Sequence, residues 1–281
     1  MLPFRKMNGL GNDFVVVDAR DGANLPDGAR IKTLGDRNTG IGFDQFIVIA
    51  PSARADATMR IFNADGGEVE ACGNAARCVA ALLLDETGKD EIHLDSDGGL
   101  MAARFCDTGV AVDMGPPRFA AADIPLADPD ADPLGLTIPG FSERYGQAAC
   151  VNVGNPHAVF FVEDAIAVPL VADGAALERH AAFPARANIS FVTITSRTSA
   201  TVRVFERGVG PTRACGTAAC AVAAVGHRLG ILDARATIHL PGGALTIDVA
   251  SPTIIMEGPF ALDYFGEITA TGFTPQRPAA L

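Results

Sequence analysis

The sequence predicts an α+β fold: two pseudo-symmetric lobes, each a strand-rich roll or barrel wrapped around a central buried helix, with the active site in the cleft between them. Three observations predict it. A ten-residue phrase occurs twice, as ACGNAARCVA over Ala71–Ala80 and as ACGTAACAVA over Ala214–Ala223, with seven positions identical. The offset of 143 residues then recurs, placing Gly11-Asn12 over Gly154-Asn155, Gln45–Ile49 over Asn188–Val192 and Arg60-Ile-Phe62 over Arg203-Val-Phe205. Finally, each half holds one alanine-rich stretch that is apolar all round, and such a helix is buried rather than amphipathic.

Taken in order, Asp13–Asp18, Phe46–Ala50 and Ala57–Phe62 are short, β-branched and apolar, and read as strands. The first helical stretch, Gly73–Asp85, follows. Glu91–Asp95, Leu100–Phe105 and Val110–Asp113 are strands divided by glycine-bearing turns. The second half repeats the order with strands at Ala149–Asn152, His157–Val162, Asn188–Thr195 and Thr201–Phe205, then the helix Gly216–Leu229. Ala236–Leu240, Ala244–Val249 and Thr253–Glu257 complete it. Ile92-His-Leu94 matches Ile238-His-Leu240 if three further residues are allowed, which would make His93 and His239 counterparts, both structural. Gly115-Pro-Pro117 and the Pro- and Asp-rich run Asp123–Pro139 mark the lobe boundary. The expected first lobe is 1–117 with a C-terminal strand and tail at 263–281, and the second is 118–262. The tail Gly272–Leu281 lacks periodicity and is expected to be irregular.

Composition narrows the function classes. The 281 residues carry a net charge of −11, which argues against nucleic acid and anionic membrane surfaces. No apolar run approaches the ~20 residues of a membrane span, and the N-terminal stretch has no signal-peptide core, so the expected location is the cytoplasm. The six cysteines include no CxxC pair and no zinc spacing, so no metal is expected. GLGNDF contains GxG without the third glycine and helix of a dinucleotide motif.

Cys72 and Cys215 each stand before a glycine at the head of a predicted buried helix. A helix N-terminus presents unpaired N–H groups and a partial positive charge, which favours a thiolate and attracts a carboxylate. The dipole contributes about 0.3–1 kcal/mol, so it lowers a thiol pKa by roughly one unit at most. Two such thiols facing one another would take a proton from one face of a carbon and return one to the other, the arrangement of a two-base racemase or epimerase. Cys78, Cys106, Cys150 and Cys220 are read as packing residues.

The phrases MNGLGNDFVVVD, GFDQ, FNADGGEVEACGNAARC, GNPHAVFFV, FERGVGPTRACGTAACA and the late GPF resemble the diaminopimelate epimerase family over nearly the whole chain. ACGN in the first half with ERG and ACGT in the second separates this pattern from the related proline and hydroxyproline racemases, which typically read CGH in the first motif. The family commonly reads CGNGAR and CGTGAC; here Ala75 and Ala218 replace the glycine, and Ala71 stands where a larger apolar residue is common. The resemblance implies an isomerase that interconverts LL- and meso-diaminopimelate without a cofactor, toward lysine and peptidoglycan. It implies Cys72 and Cys215 as the acid/base pair, with His157 and Glu206 tuning them. It places substrate contacts on Asn12, Gln45, Asn63, Gly73, Asn74, Asn155, Asn188, Glu206, Arg207, Gly216 and Thr217, and makes a homodimer plausible.

The repeat bears on these positions independently. Asn12 pairs with Asn155, Gln45 with Asn188, Asn63 with Glu206 and Cys72 with Cys215, all at 143 residues. Only the second copy gains charge, and Arg207 could take a carboxylate and Glu206 an ammonium. Each position also has a plainer reading: the asparagines as turn residues, Gln45 and Asn188 as strand caps, Glu206–Arg207 as a surface ion pair, His157 as a core histidine. Two rival functions remain at this stage, a proline- or hydroxyproline-type racemase and a non-catalytic thiol redox or ligand-binding protein in which Cys72 and Cys215 form a reversible disulfide.

Overall fold

A computed structural model describes residues 1–69 and 72–276. Ala71 and the last five tail residues lie outside the described residues. The chain divides into two compact units, one comprising Met1–Val112 and the chain from Gly258 onward, the other Asp113–Glu257. The divisions fall at 112/113 and 257/258, against 117/118 and 262/263 in the sequence. Residues 113–118 are tied into the second unit: the Met114 N–H donates to the Ile254 carbonyl, and the Arg118 N–H to that of Asn152.

The first unit contains β1 (Leu2–Gly9), β2 (Asn12–Asp18), α1 (Gly28–Gly35), β3 (Gln45–Ala50), β4 (Ala57–Asn63), β5 (Glu68–Val69), α2 (Gly73–Thr87), β6 (Ile92–Ser96), β7 (Gly99–Cys106) and β8 (Gly109–Asp113). Its sheet runs β1-β2-β3-β4-β6-β7-β8, with β2–β3 and β4–β6 parallel and the rest antiparallel. Two later strands, β17 (Ala261–Ile268) and β18 (Phe273–Gln276), extend it beyond β1. β18 corrects the expectation of an irregular tail: Phe273 to Gln276 find backbone partners on β17, which their composition does not announce.

The second unit holds α3 (Ser142–Tyr145), β9 (Ala149–Asn152), β10 (Pro156–Phe161), α4 (Leu170–Glu178), β11 (Asn188–Ser196), β12 (Ser199–Glu206), β13 (Gly210–Pro211), α5 (Gly216–Arg228), β14 (Arg235–Leu240), β15 (Gly243–Asp248) and β16 (Ile255–Gly258). Its order, β9-β10-β11-β12-β14-β15-β16, repeats that of the first unit with the same parallel and antiparallel pairings. Register repeats too. Phe14 pairs with Gln45 in parallel, and His157 with Asn188; Phe62 pairs with Glu68, and Phe205 with Pro211.

The register corrects one alignment. Ala57 pairs with Leu94 and Ala200 with Ile238, so Leu94 corresponds to Ile238, one residue beyond the 143 offset and not three. The counterpart of His93 is then Thr237, and that of His239 is Asp95; the two histidines are not a repeated pair, and both are exposed. The misalignment was a slip of two residues, which keeps every side chain on its own face of the strand and so leaves the apolar pattern matched.

Each unit closes around its helix. Residues Gly73–Ala81 of α2 are all buried, as are Ala218–Gly226 of α5. Small side chains make this possible, because Ala, Gly and Cys let strands approach the helix axis closely. The methyls of Ala75 and Ala218, which replace the family's glycines, are fully enclosed at 0% exposure. α2 stops at Gly88, whose left-handed φ of 65° turns its N–H back onto the Leu84 carbonyl. Cys78, Cys150 and Cys220 are completely buried, and burial pushes the Cys78 and Cys150 thiols up to about 12. Cys106 is half-buried beside the Thr108 hydroxyl.

Helices α1 and α4 lie in stretches without clear apolar periodicity. Asp27 caps α1 by accepting from the Arg30 N–H at 2.8 Å. α4 packs across β12 through Gly174, where a Cβ would come within 2.6 Å of Phe205. Among the described residues no helix is long and apolar enough to cross a membrane. Leu84 is 2% exposed, so Leu84→Ala should lower unfolding stability by about 2–5 kcal/mol. Urea denaturation with an unchanged m-value checks this.

Candidate active site

The head of α2 begins at Cys72, extended at φ −150° and ψ 104°, and the head of α5 at Cys215, extended at φ −130° and ψ 106°. The first helical bonds are Ala76 N–H to the Cys72 carbonyl and Ala219 N–H to the Cys215 carbonyl. The N–H groups of Gly73, Asn74 and Ala75, and of Gly216, Thr217 and Ala218, therefore lie outside the helical ladder. Both expected thiols thus stand at helix heads, each within its own unit.

Around Cys72 the first unit gathers two of the expected residues, Asn12 and Asn74. The Cys72 sulfur lies 3.8 Å from Asn12 Oδ1 and donates to it. Asn74 Nδ2 donates to the same oxygen at 3.3 Å. Asn12 Nδ2 donates to Asp44 Oδ2 at 2.9 Å. Arg77, 0% exposed, donates to Asn74 Oδ1 at 3.0 Å and to the Pro259 carbonyl at 3.3 Å. Gly9 keeps this corner open: a Cβ there would press on Arg77 Nη2 at 3.1 Å and the Asn74 carbonyl at 3.3 Å. Asp13 lies behind Asp44, bonded by Lys6 and by both Arg37 nitrogens. Burial opposes its charge, yet the hydrogen bonds from Arg37 and Lys6 win and hold its pKa at about 2. Gln45 and Asn63 meet across β3 and β4, Nε2 to Oδ1 at 3.2 Å. Gln45 Oε1 is buried without a hydrogen-bond partner.

Around Cys215 the chemistry differs. The Thr217 hydroxyl lies 3.4 Å from the sulfur. The Glu206 carboxylate accepts from the Thr212 hydroxyl. Burial, then the Glu206 charge, push the Cys215 thiol well above its ordinary value; the Thr217 hydroxyl and the Ala218 N–H pull the other way without prevailing. The helix dipole by itself would lower the pKa. Desolvation of a thiolate at 6% exposure is the larger effect.

Asn188, expected as a contact, holds the chain in place: Nδ2 donates to the Pro156 carbonyl at 2.9 Å, and Oδ1 accepts from the Arg207 N–H at 2.9 Å. Arg207 is exposed on the turn after β12, its Nη1 on the Ala185 carbonyl at 3.3 Å. Glu178, 2% exposed at the end of α4, accepts from the Gly208 N–H at 2.7 Å and so fixes the turn that carries Arg207. His157 Nε2 lies 2.8 Å from Asn155 Oδ1, and its buried Nδ1 has no partner. Its place in the first unit is taken by Phe14. Burial, with the Arg207 charge second, pushes His157 down to about 3, so the imidazole is neutral at neutral pH.

Sequence reasoning did not assign Asp44, Asp13, Arg77 or Glu178. A signal for Arg77 existed, as the one charge inside an otherwise apolar helical run. Asp44 and Glu178 carry no local signal, because their partners are 32 and 30 residues away. Among the described residues no group of His, Cys, Asp and Glu is gathered so as to hold a metal ion.

The sequence was compared with known proteins. The family model described as Diaminopimelate epimerase matches residues 4–120 and 149–262. A diaminopimelate epimerase of Erythrobacter litoralis is 49% identical over 266 residues, covering 94% of this chain and 96% of the relative. That of Chromobacterium violaceum is 46% identical over 277 residues, covering 95% and 99%. Among solved structures, a PhzF-family phenazine biosynthesis protein of Bacillus anthracis superposes with a TM-score of 0.67 at 17% identity, covering 95% of this chain and 99% of that one. A hydroxyproline epimerase of Agrobacterium vitis superposes at 0.66 and 16% identity, covering 98% and 90%. These two likenesses establish the fold.

A neutral buried histidine makes stability fall in acid. Its folded pKa, about 3, lies below the ordinary 6.5. The unfolded chain therefore takes up the proton first, and stability present above about pH 6.5 is lost progressively as pH falls toward 3. His157→Phe, which installs the residue of the first unit, should flatten the decline between pH 6.5 and 5. Thermal unfolding across that range, for both proteins, measures it.

Proposed function

This chain belongs to the diaminopimelate epimerase family, and from that premise we propose that it interconverts LL- and meso-2,6-diaminopimelate by two-base proton transfer at the α-carbon, with Cys72 and Cys215 as the pair. The observation that carries the proposal is the recurrence of one device: a thiol in extended backbone at the head of a buried small-residue helix, once in each unit. A single base can only return a proton to the face it came from. Inversion needs a second acid for the opposite face, and the doubled device supplies it.

The step balances without an external acid or base. One cysteine thiolate takes the α-proton and becomes a thiol. The electron pair left on carbon spreads into the α-carboxylate, and the other thiol then protonates the carbon from the far side and becomes the thiolate. The roles have exchanged, so the protein that has inverted one isomer is set to accept the other; we assign Cys72 as the base for the LL form. The first-turn N–H groups of Gly73 and Asn74 and of Gly216 and Thr217 are suited to the α-carboxylate, where negative charge grows in the transition state. Asn12, Gln45, Asn63, Asn155 and Asn188 offer amides able to donate and accept, Arg207 a fork for the distal carboxylate and Glu206 an acceptor for an ammonium. Burial and then the Glu206 charge favour Cys215 as the thiol, and an ammonium beside that carboxylate would relieve the second of these. His157, neutral, offers Nδ1 as an acceptor. The cytoplasm and a homodimer complete the proposal.

Incubation with LL-diaminopimelate in deuterated water should incorporate deuterium at one α-carbon as meso product appears. Cys72→Ala and Cys215→Ala should each lower kcat by at least about 10²–10⁴-fold, the range for a positioned acid or base. Exchange into L-proline or hydroxyproline, with none into diaminopimelate, would assign the protein to the racemases instead.

A further inference from the structure

We propose that Asp44 is a positioning residue for Cys72, acting through Asn12: it locks the Asn12 amide so that its oxygen faces the thiol and keeps the sulfur in the donor role. This deepens the two-cysteine reading above and rests on it for its relevance to turnover. The geometry itself does not.

The direction of the lock follows from which groups only donate and which only accept. An ionised carboxylate accepts and never donates. Asp44 Oδ2, 2.9 Å from the Asn12 amide, therefore requires the nitrogen of Asn12 on its side. The oxygen of Asn12 is thereby turned toward Cys72 and Asn74. From the other end, a guanidinium donates and never accepts, so Arg77 requires the oxygen of Asn74 on its side and sends the Asn74 nitrogen to Asn12. Every amide between Arg77 and Asp44 is thus oriented by a charge, and reversing either would set like against like at both of its contacts. Asp44 is itself anchored, accepting from the Asp13 N–H at 3.0 Å and from Arg37.

The charged groups on the surrounding elements are Lys6 on β1, Asp13 on β2, Arg37 and Asp44 before β3, Arg77 on α2 and Asp263 on β17. The first four are engaged with one another, Arg77 with Asn74, and Asp263 accepts from Asn8 at 2.8 Å. The second unit carries other residues at the matching positions. Asp44 corresponds to Ala187, Asp13 to Pro156 and Arg77 to Cys220, and the acidic neighbour of its thiol is Glu206. The two thiols thus have different neighbours: Cys72 donates to an oriented amide oxygen, whereas burial and then the Glu206 charge act on Cys215. A substrate ammonium that takes the Asn12 oxygen would withdraw the acceptor from Cys72, so ligand arrival and release of the thiol are the same event.

The test is the pH dependence of iodoacetamide alkylation of the unliganded protein, with Cys72 followed by peptide mass spectrometry. It needs no turnover, so it fails or succeeds independently of the epimerase assignment. One ordinary hydrogen bond corresponds to roughly half a pH unit to one unit. Asp44→Asn frees Asn12 to turn, and the Cys72 midpoint should drop by that amount while the Cys215 midpoint stays. Asn12→Ala should lower the Cys72 midpoint similarly, and adding Asp44→Asn to it should move the midpoint no further. Equal drops from Asp44→Asn in both backgrounds would show Asp44 acting by its charge through space and overturn the proposal. So would an unchanged midpoint in Asn12→Ala, a variant that leaves every charged group in place and decides the matter even if Asp44→Asn does not fold.

Discussion

The structure depends on one constraint, that a helix of small residues be enclosed by strands on all sides. Alanine, glycine and cysteine supply little surface each, so the enclosure works only through close approach, and every turn of α2 from Gly73 to Ala81 is sealed. Enclosure leaves the helix head as the polar end of an apolar shaft. Groups there cannot be satisfied by the helix itself and must find partners among strand ends. That is why the ends of β2, β3 and β4, and of β10, β11 and β12, carry the amides and acids of both candidate sites.

The same device has been built twice with different supports. Phe14 and Ile47 on β2 and β3 of the first unit correspond to His157 and Ser190 on β10 and β11 of the second. Around the thiol, the first unit uses a buried cation, two oriented amides and a carboxylate, whereas the second brings a carboxylate beside the sulfur. Two copies of one device have therefore diverged in electrostatics while keeping strand order and pairing direction. A substrate whose two ends must be told apart requires such divergence, and a proton inverted across a carbon requires the identity.

The strand and helix order was legible because period-two apolar runs and alanine-rich stretches are local signals. So was the repeat, since identical roles on identical elements retain residue type. Other features were not. The His93–His239 match looked like part of the repeat because strands tolerate a two-residue slip without changing which face is apolar. α4 carries no such signal because seven of its nine residues are uncharged and lack an apolar period, and its place is set by Gly174 against Phe205. The pKa of Cys215 was taken in the wrong direction because a sequence shows a helix head and does not show how deeply it is buried.

The sequence by itself determined the class of fold, the doubled thiol and the residues expected around each, since these follow from periodicity, from the 143-residue offset and from the phrases shared with a family. Tertiary structure decided the protonation and orientation of those groups. Whether a thiol is raised or lowered depends on desolvation and on the nearest charge, and whether an amide shows oxygen or nitrogen depends on what lies on its other side. Both are contacts between segments far apart in the chain: Asn12 with Asp44 and Cys72, and Glu178 with Gly208. Local pattern names the participants in such contacts, and only the packed chain sets their direction.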